Sequence, residues 1–300
     1  MNHGKIKKNF LVISNYGWNI SWVPEYTNNY LVYDRSDNPV FPRNIDMSKV
    51  IKSPNVGYNS YDYFRFIVDN YDNLPEVTIF AKGHCFPRHV SQAYFDSVMN
   101  NRTFTPLMDK TQHEPEMSVA YTKDDLYYEI NNSWYFNTWK SKYFSNFNDF
   151  LRYVYKKPDI PKYIPFAPGG DYIVPRENIL KLPKKLYQDM MVFMSHCREP
   201  VETHMIERAC YTLWTSNQEL NETMLTQRIE DFVPVAKKQL SGTKILAKKM
   251  IDSFMSSNFI PVSVKKSVSR LNVRINSIRS KLTNRRLAAK ISRDAVSRQI

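Results

Sequence analysis

Residues Asn55–Arg88, NVGYNSYDYFRFIVDNYDNLPEVTIFAKGHCFPR, decide the fold of this chain. They contain a glycine turn, a helix whose N-cap is predicted at Asn59 or Ser60, a second turn and a buried strand over Val77–Ala81. The helix places its apolar residues on one face: Tyr61, Phe64, Ile67, Val68 and Tyr71. A helix followed by a buried strand is half of an α/β unit.

Further strands and helices alternate on both sides of this stretch. Phe10–Ser14 and Tyr30–Tyr33 are predicted strands, and Asp171–Arg176 is predicted as a short strand that runs into a helix. Helices are predicted over about 90–100, 183–196 and 201–215, whereas 101–165 has weak periodicity and is predicted to be mixed. This alternation predicts an α/β fold with a mostly parallel sheet covered on both faces.

The loop after the strand Val77–Ala81 is rich in ionisable side chains, namely Lys82, His84, Cys85, Arg88 and His89. In open α/β sheets, ligands bind at the carboxyl ends of the strands. This loop is therefore the first candidate site.

The composition limits the class of protein. No run of about 18 apolar residues is present, which predicts no membrane-spanning helix. The N-terminal stretch lacks the apolar core and the cleavage site of a secretory signal. Three widely spaced cysteines, Cys85, Cys197 and Cys210, are typical of reduced thiols in a cytoplasmic protein.

The net charge of +13 is concentrated at the C-terminal end. Between Val233 and Ile300 there are 16 lysines and arginines but only 2 acidic residues. The rest of the chain is almost electrically balanced. We therefore predict an α/β domain over residues 1–232 and a basic α-helical C-terminal extension over residues 233–300.

Apolar residues in this extension recur at alternating spacings of three and four: Val264, Val268, Leu271, Ile275, Ile278 and Leu282. A basic amphipathic helix of this kind predicts a peripheral anchor, over residues 262–300, on an anionic membrane surface. The same apolar residues form a heptad seam, which is typical of a coiled coil that forms a homo-oligomer or of a helix that docks on a partner. Nucleic acid is the least favoured partner, because the aromatics that stack on bases are absent beyond Phe259.

Five segments follow one another between about residues 9 and 215: VISNYGWNISWV, YLVYDRSD, NVGYNSYDYFRFIVDNYDNLPEVTIFAKG, FAPGGDYIVPRENIL and IERACYTLW. They resemble successive blocks of a little-characterised glycosyltransferase-like family. The glycine block also resembles the acceptor-side turn of nucleotide-diphospho-sugar transferases of the A-type fold. The resemblance implies a Rossmann-like sheet and transfer of a sugar from a nucleotide-sugar donor to a glycan or lipid-linked acceptor.

The chain departs from the A-type pattern at the metal site. Those transferases usually carry an Asp-x-Asp sequence that holds Mn²⁺ or Mg²⁺, whereas Lys-Gly-His-Cys follows the strand here. One alternative is that Lys82, Arg88 and a protonated His84 neutralise the diphosphate without a metal. The other is that His84 and His89 bind a divalent metal with carboxylates from elsewhere. Tyr58 stands where the resembling family tends to have arginine, so a donor contact is lost there.

The donor pocket implied by the resemblance is lined by residues at strand ends and turns: Asn15, Tyr16, Asp34, Asn55, Gly57, Lys82 and His84. Asp34 follows a second strand, where acidic side chains often contact a ribose or a base. Tyr16 could stack on a base. Turn formation explains Asn15, Tyr16 and Asp34 nearly as well, so both interpretations stay open.

The sugar side is predicted at Gly169, Gly170 and Arg176, with Asp171 accepting hydrogen bonds from sugar hydroxyls. The alternatives are a tight turn with an exposed aspartate and, for Arg176, a surface residue at a helix start. Glu207 is the predicted catalytic base, with Asp171 and Glu202 as rivals. A carboxylate in partly apolar surroundings has a raised pKa and can accept the proton of an acceptor hydroxyl. A structural, ion-paired glutamate is the alternative for Glu207. For the whole chain, the alternative to a glycosyltransferase is a non-catalytic scaffold that docks through its basic helices.

Overall fold

The computed structural model describes residues 5–109, 119–123, 126–129, 141–160 and 162–229. The basic extension over 233–300, its heptad seam and the predicted membrane anchor lie outside the described residues. Among the described residues, no helix is long and apolar enough to cross a bilayer.

The strands are β1 (Phe10–Asn15), β2 (Tyr30–Asp34), β3 (Val50–Lys52), β4 (Val77–Lys82), β5 (Thr105–Pro106), β6 (Val119–Lys123), β7 (Leu126–Glu129), β8 (Tyr163–Pro165) and β9 (Tyr172–Pro175). The helices are α1 (Val23–Tyr26), α2 (Tyr58–Asn70), α3 (Cys85–Arg88), α4 (Gln92–Val98), α5 (Phe147–Val154), α6 (Arg176–Ile179), α7 (Lys184–Phe193), α8 (Val201–Thr215) and α9 (Glu222–Thr226). Single 3₁₀ turns span Met47–Lys49 and Tyr71–Asn73.

The main sheet has six strands in the order β3-β2-β1-β4-β9-β5. The neighbours among β1, β2, β3 and β4 pair in parallel, whereas β9 is antiparallel to both β4 and β5. The predicted α/β class and mostly parallel sheet are confirmed. A second sheet, β7-β6-β8, is antiparallel and lies in the segment predicted to be mixed.

Apolar side chains cover the main sheet on both faces because successive strand residues point to opposite sides. Val12 on β1 packs in one cluster with residues of α2, α7 and α8. Its neighbours Leu11 and Ile13 pack in the other cluster, with residues of α1 and α4. The first face is rich in rings, and Phe80 stacks on Trp214 of α8 with centroids 5.9 Å apart.

The start of α2 differs from the prediction. Gly57 adopts a left-handed conformation with φ +60° and caps the helix, so α2 begins at Tyr58. The N-cap predicted at Asn59 or Ser60 was therefore wrong. Both side chains are buried, and Asn59 is used for a tertiary contact instead of a cap. By contrast, the predicted helix over 201–215 is confirmed as α8, whose middle residues lie above the sheet.

Candidate functional site

A cavity of about 430 Å³ opens at the carboxyl ends of β1 and β4. β2 lies on one side of β1 and β4 on the other, so the direction in which the sheet grows reverses here. Such a reversal separates the loops and leaves a crevice, the usual ligand position in open α/β sheets. The cavity is lined by Ser14, Tyr16, Trp18, Arg35, Asn55, Tyr58, Asn59, Lys82, His84, Arg88, Arg198, Glu199, His204 and Glu207.

The turn before β9 reaches the same edge of the sheet because β9 runs antiparallel to β4, with Phe80 opposite Tyr172. The turn is bound from two sides. Asn59 Nδ2 donates to the carbonyl of Gly169 at 2.7 Å, and the Gly169 amide donates to Glu207 Oε1 at 3.1 Å. The turn therefore ties α2 to α8 beside the cavity.

Both glycines of this turn have positive φ, +88° at Gly169 and +70° at Gly170. A Cβ at Gly169 would lie 2.8 Å from the His89 ring, and one at Gly170 would lie 3.1 Å from Asn59 Nδ2. Protein side chains therefore fill the space that the sequence analysis gave to a sugar. The glycines support Glu207 from outside the cavity lining.

Glu207 lines the cavity although it is buried. Its Oε1 accepts from the Gly169 amide and pairs with the Arg208 guanidinium at 3.0 Å. Oε2 makes no hydrogen bond among the described residues. Burial favours protonation, but the charges of Arg208 and Lys82 outweigh it and hold the pKa below its ordinary value. The raised pKa predicted for Glu207 was wrong, and the side chain is an ionised carboxylate.

Asp171 lies beneath the cavity and does not line it. The carboxyl group is fully buried, and its Oδ1 accepts from Tyr63 Oη at 2.9 Å. Burial raises its pKa to about 7, against the opposing effects of Lys82 and the Tyr63 hydroxyl. Asp171 is thus half-protonated near neutral pH, and a direct contact with sugar hydroxyls is not available to it in this arrangement.

Arg35 and Asp62 form a buried ion pair at the cavity wall, with Arg35 Nε 3.1 Å from Asp62 Oδ2. Asp62 also accepts hydrogen bonds from the hydroxyls of Ser14 and Ser53. Burial raises the pKa of Asp62 to about 6, and the Arg35 charge opposes that rise. Sequence reasoning missed this pair, because Asp62 lies within an amphipathic helix pattern and Arg35 lies in a turn.

Lys82 ends β4 and lines the cavity, and its Nζ makes no hydrogen bond or ion pair within the described residues. Burial lowers its pKa, whereas Glu207 and Asp171 oppose that shift. Burial, followed by Lys82 and Arg88, lowers the pKa of His84 to about 4. The protonated His84 expected from the sequence was therefore wrong, and the local positive charge comes from Lys82 and Arg88.

Two exposed aromatic side chains, Tyr16 and Trp18, lie at the cavity after β1. Trp18 is 46% exposed and stacks on His84 with ring centroids 4.4 Å apart. Arg198 donates to Tyr16 Oη at 3.2 Å, although the two residues are far apart in sequence. Sequence reasoning identified Tyr16 but missed Trp18, whose signal was a large aromatic within a strand-end turn.

Residues 11–224 match the family described as Protein of unknown function (DUF3431). The chain belongs to this family. The match runs from β1 into α9, so the whole cavity lies within the DUF3431 region. Comparisons with curated proteins and with solved structures gave no match.

Some predicted donor residues of this DUF3431 chain lie outside the cavity lining. Asn15 Nδ2 donates to Asp34 Oδ1 at 3.2 Å, and Asp34 also accepts from the amide and hydroxyl of Ser36. This arrangement matches the turn interpretation of Asn15 and Asp34. Gly57 caps α2 and is packed against Met194, whereas Asn55 lines the cavity as predicted.

Arg176 lies at the opposite edge of the sheet. Because β9 is antiparallel to β4, Pro175 at its end pairs with Val77 at the start of β4. Arg176 Nε accordingly donates to the Pro75 carbonyl at 3.4 Å. The placement of Arg176 on the sugar side was wrong, because the sequence did not indicate the strand direction.

Residues of the DUF3431 cavity do not fit a divalent metal. Across the described ranges, no three His, Cys, Asp or Glu side chains converge as ligands. His84 and His89 lie with ring centroids 5.6 Å apart, and no third His, Cys, Asp or Glu of the described residues completes a ligand group with them. Glu202 is used elsewhere, in an ion pair with His196 at 2.9 Å.

Proposed function

We propose that this protein is a glycosyltransferase that moves a sugar from a nucleotide-diphosphate donor to a hydroxyl of a glycan or lipid-linked acceptor. One observation carries the proposal. The crevice between β1 and β4 combines an unpaired cation, Lys82, an exposed aromatic ring, Trp18, and an anchored carboxylate, Glu207. The cation would bind the diphosphate, the aromatic ring would stack on the nucleobase, and the carboxylate would take the proton of the acceptor hydroxyl. The A-type fold is part of the same proposal and is supported by the sequence resemblance.

The donor would enter with its charged part over the cationic wall. Arg35, Lys82 and Arg88 line that wall, and guanidinium and ammonium groups form charge-assisted hydrogen bonds to phosphate oxygens. The nucleobase of the donor would stack on Trp18 or Tyr16, because aromatic side chains offer a flat face to any nucleobase. The cavity volume falls within the usual range for small-molecule sites.

Glu207 would serve as the general base that deprotonates the acceptor hydroxyl. The acceptor oxygen attacks the anomeric carbon, its proton passes to Glu207 Oε2, and the bond from that carbon to the phosphate oxygen breaks. The electron pair leaves with the nucleoside diphosphate, whose added negative charge the cationic wall offsets. The hydrogen bond from Gly169 and the pair with Arg208 fix Oε1, so Oε2 is left for the acceptor. Tyr58, His204 and Glu199 lie nearby and would contact the sugars.

The site of action in the cell is part of the proposal. A lipid-linked acceptor would place the protein at the cytoplasmic face of a membrane, with the basic residues 262–300 attracted to anionic lipid. Flotation with vesicles that contain phosphatidylserine tests this: full-length protein should float, and a 1–232 truncation should not. Equal flotation of both proteins would contradict the membrane role and favour an oligomer or docking role for the seam.

Calorimetry with a panel of nucleotide sugars, with and without Mn²⁺, tests the donor site. We expect one donor to bind and Lys82→Ala to weaken it about tenfold or more, since a hydrogen bond to a charged group contributes about 1.5–3 kcal/mol. Lys184→Ala is the control, because this half-buried lysine lies outside the cavity and its one ion pair among the described residues is a weak contact with Asp72 at 3.8 Å.

A non-catalytic scaffold is the second candidate, and the poor fit of the cavity to a divalent metal favours it. The scaffold hypothesis predicts that no nucleotide sugar binds, either with or without Mn²⁺. Donor binding that leads to no release of nucleoside diphosphate, with any acceptor glycan, would also favour the scaffold.

A further inference from the structure

Three of the carboxylates around the cavity are engaged by protein donors. Asp62 accepts from Ser14 and Ser53 and pairs with Arg35. Asp34 accepts from Ser36 and Asn15. Glu207 uses Oε1 for Gly169 and Arg208. Hard divalent ions need several free oxygens at one point, and across the described residues no three side chains converge as ligands.

The cationic side chains of the cavity wall, by contrast, have few protein partners. Lys82 Nζ makes no hydrogen bond or close ion pair with the described residues, and Arg88 Nη1 lies 3.4 Å from Nε2 of the neutral His84 ring. Arg35 is only 9% exposed but still lines the cavity. The wall therefore carries three cations, Arg35, Lys82 and Arg88. Asp62 offsets the charge of Arg35, and Glu207 favours the charged form of Lys82. The three cations still outnumber these two carboxylates. An anion is the ligand that such a wall stabilises.

We infer that the cavity binds a diphosphate group directly, without a divalent cation, through Arg35 and Lys82, and that Asp62 is the positioning residue that holds Arg35 in place. This inference rests on the proposed function for its substrate class, and it goes further by naming the diphosphate contacts.

Arg35 is suited to this role because a buried ion pair with Asp62 holds it at the cavity wall before any ligand enters. Its Nε lies against Asp62, and its guanidinium carbon lies 5.8 Å from the centre of the Tyr16 ring. The remaining guanidinium nitrogens are left for a ligand, and their fork matches two phosphate oxygens. Pre-ordering lowers the entropy lost on binding.

Asp62 acts through Arg35 because it is wholly buried and outside the cavity lining. Two serine hydroxyls and one guanidinium surround it, so its position is determined from three directions. Removing one partner of a buried pair leaves the other without compensation. An amide at position 62 would keep the shape but would release Arg35 from its fixed direction.

Calorimetry with inorganic pyrophosphate in EDTA tests the inference on the full-length protein. We expect binding by the wild type, and a loss of affinity of about tenfold or more in Arg35→Gln and in Lys82→Ala. Lys184→Ala, remote from the cavity, should leave the affinity unchanged. Binding that requires added Mn²⁺, or an Arg35→Gln variant that binds as the wild type does, would overturn the inference.

A double-mutant cycle separates positioning by Asp62 from a general structural role. Asp62→Asn should weaken pyrophosphate binding in the wild type but add almost nothing in the Arg35→Gln background. Equal losses in both backgrounds would overturn the role of Asp62. If Asp62→Asn does not fold, Ser53→Ala removes one of its hydrogen bonds and should show the same non-additivity at smaller amplitude.

The two proposals fail in different ways. Pyrophosphate binding in EDTA without transfer from any nucleotide sugar would support the anion site and contradict the glycosyltransferase. Sugar transfer that EDTA abolishes, in a protein that does not bind pyrophosphate alone, would support the glycosyltransferase and overturn the metal-free site.

Discussion

The two edges of the main sheet handle charge in opposite ways. At the carboxyl edge, Asp62 and Glu207 are buried and held by named hydrogen bonds and ion pairs. At the amino edge, Glu76 and Arg102 pair at the surface, where their side chains are 72% and 41% exposed. The first arrangement costs free energy of desolvation, whereas the second costs almost none.

This difference makes the carboxyl edge the candidate for a functional site. A fold gains little stability from buried ionised groups, because desolvation often exceeds the attraction within the pair. Perturbed pKa values with specific partners cluster at functional sites. The raised pKa values of Asp62 and Asp171 and the lowered pKa of Glu207 all occur at the carboxyl edge.

Of the substitutions that compare the two edges, Glu207→Gln at the carboxyl edge has the largest expected effect on activity. We expect transfer to fall by about 100-fold or more, because a positioned general base contributes about 10²–10⁴-fold. Nucleotide-sugar affinity should change much less, since the amide keeps a carbonyl oxygen for the Gly169 amide. The measurement is kcat with the donor found by calorimetry. Glu76→Gln is the control and should keep full activity; equal losses would remove the distinction between the edges.

Asp171→Asn is expected to change the pH dependence of stability. Asp171 keeps its proton in the folded chain up to about pH 7, whereas the unfolded chain loses it near pH 4. Wild-type stability from this group therefore falls as pH rises from about 4 to 7, by up to about 4 kcal/mol at about 1.4 kcal/mol per pKa unit. The variant lacks this fall.

Urea denaturation at several pH values, for the wild type and for Asp171→Asn, measures that difference. Tyr63→Phe is the matched control, because it removes the hydrogen bond to Asp171 but keeps the titrating carboxyl group. It should retain the fall in stability with rising pH. Parallel curves for the wild type and Asp171→Asn would mean that the buried carboxyl does not titrate in this range.

Trp18→Ala distinguishes the aromatic side of the cavity from its cationic side. We expect nucleotide affinity to fall about tenfold, because base–aromatic stacking contributes about 1–3 kcal/mol. Pyrophosphate affinity should not change, since that anion has no ring to stack. Tyr163→Ala removes another exposed ring, 61% exposed and outside the cavity, and serves as the control. A parallel loss of pyrophosphate affinity in Trp18→Ala would indicate a collapsed cavity.

Glu76→Gln gives the smallest expected effect. Exposed ion pairs contribute about 0.2–1 kcal/mol, so the free energy of unfolding should fall by less than about 1 kcal/mol. Urea denaturation at low and high salt measures it, and the difference should shrink as salt screens the pair. A loss of several kcal/mol that persists in high salt would contradict the contrast between the two edges.

The sequence allowed the strands and the site edge to be predicted because those signals are local. Val77–Ala81 is a short apolar run between a proline and a glycine, and the charged residues after it identified the carboxyl edge. Lys82, His84 and Glu207 do meet at one cavity. The A-type fold, the nucleotide-sugar donor and the roles of these residues stay predictions.

The remaining features depend on contacts between distant segments. The antiparallel direction of β9 decides that Asp171 lies near the cavity and Arg176 far from it, and no local pattern encodes that direction. The pKa of Glu207 depends on Lys82, which is distant in sequence. Arg35 and Asp62 were missed for the same reason: their pairing joins a turn to the buried side of a helix.

The packed glycine turn has a consequence for protein engineering. A side chain at Gly169 or Gly170 would displace His89, Asn59 or Glu207, so random libraries at these positions should yield mostly inactive variants. Arg198 and Glu199 are exposed at the rim of the cavity, where a new side chain would extend into solvent without displacing packed residues. Efforts to alter the ligand preference of the cavity should therefore diversify the rim and keep the turn constant.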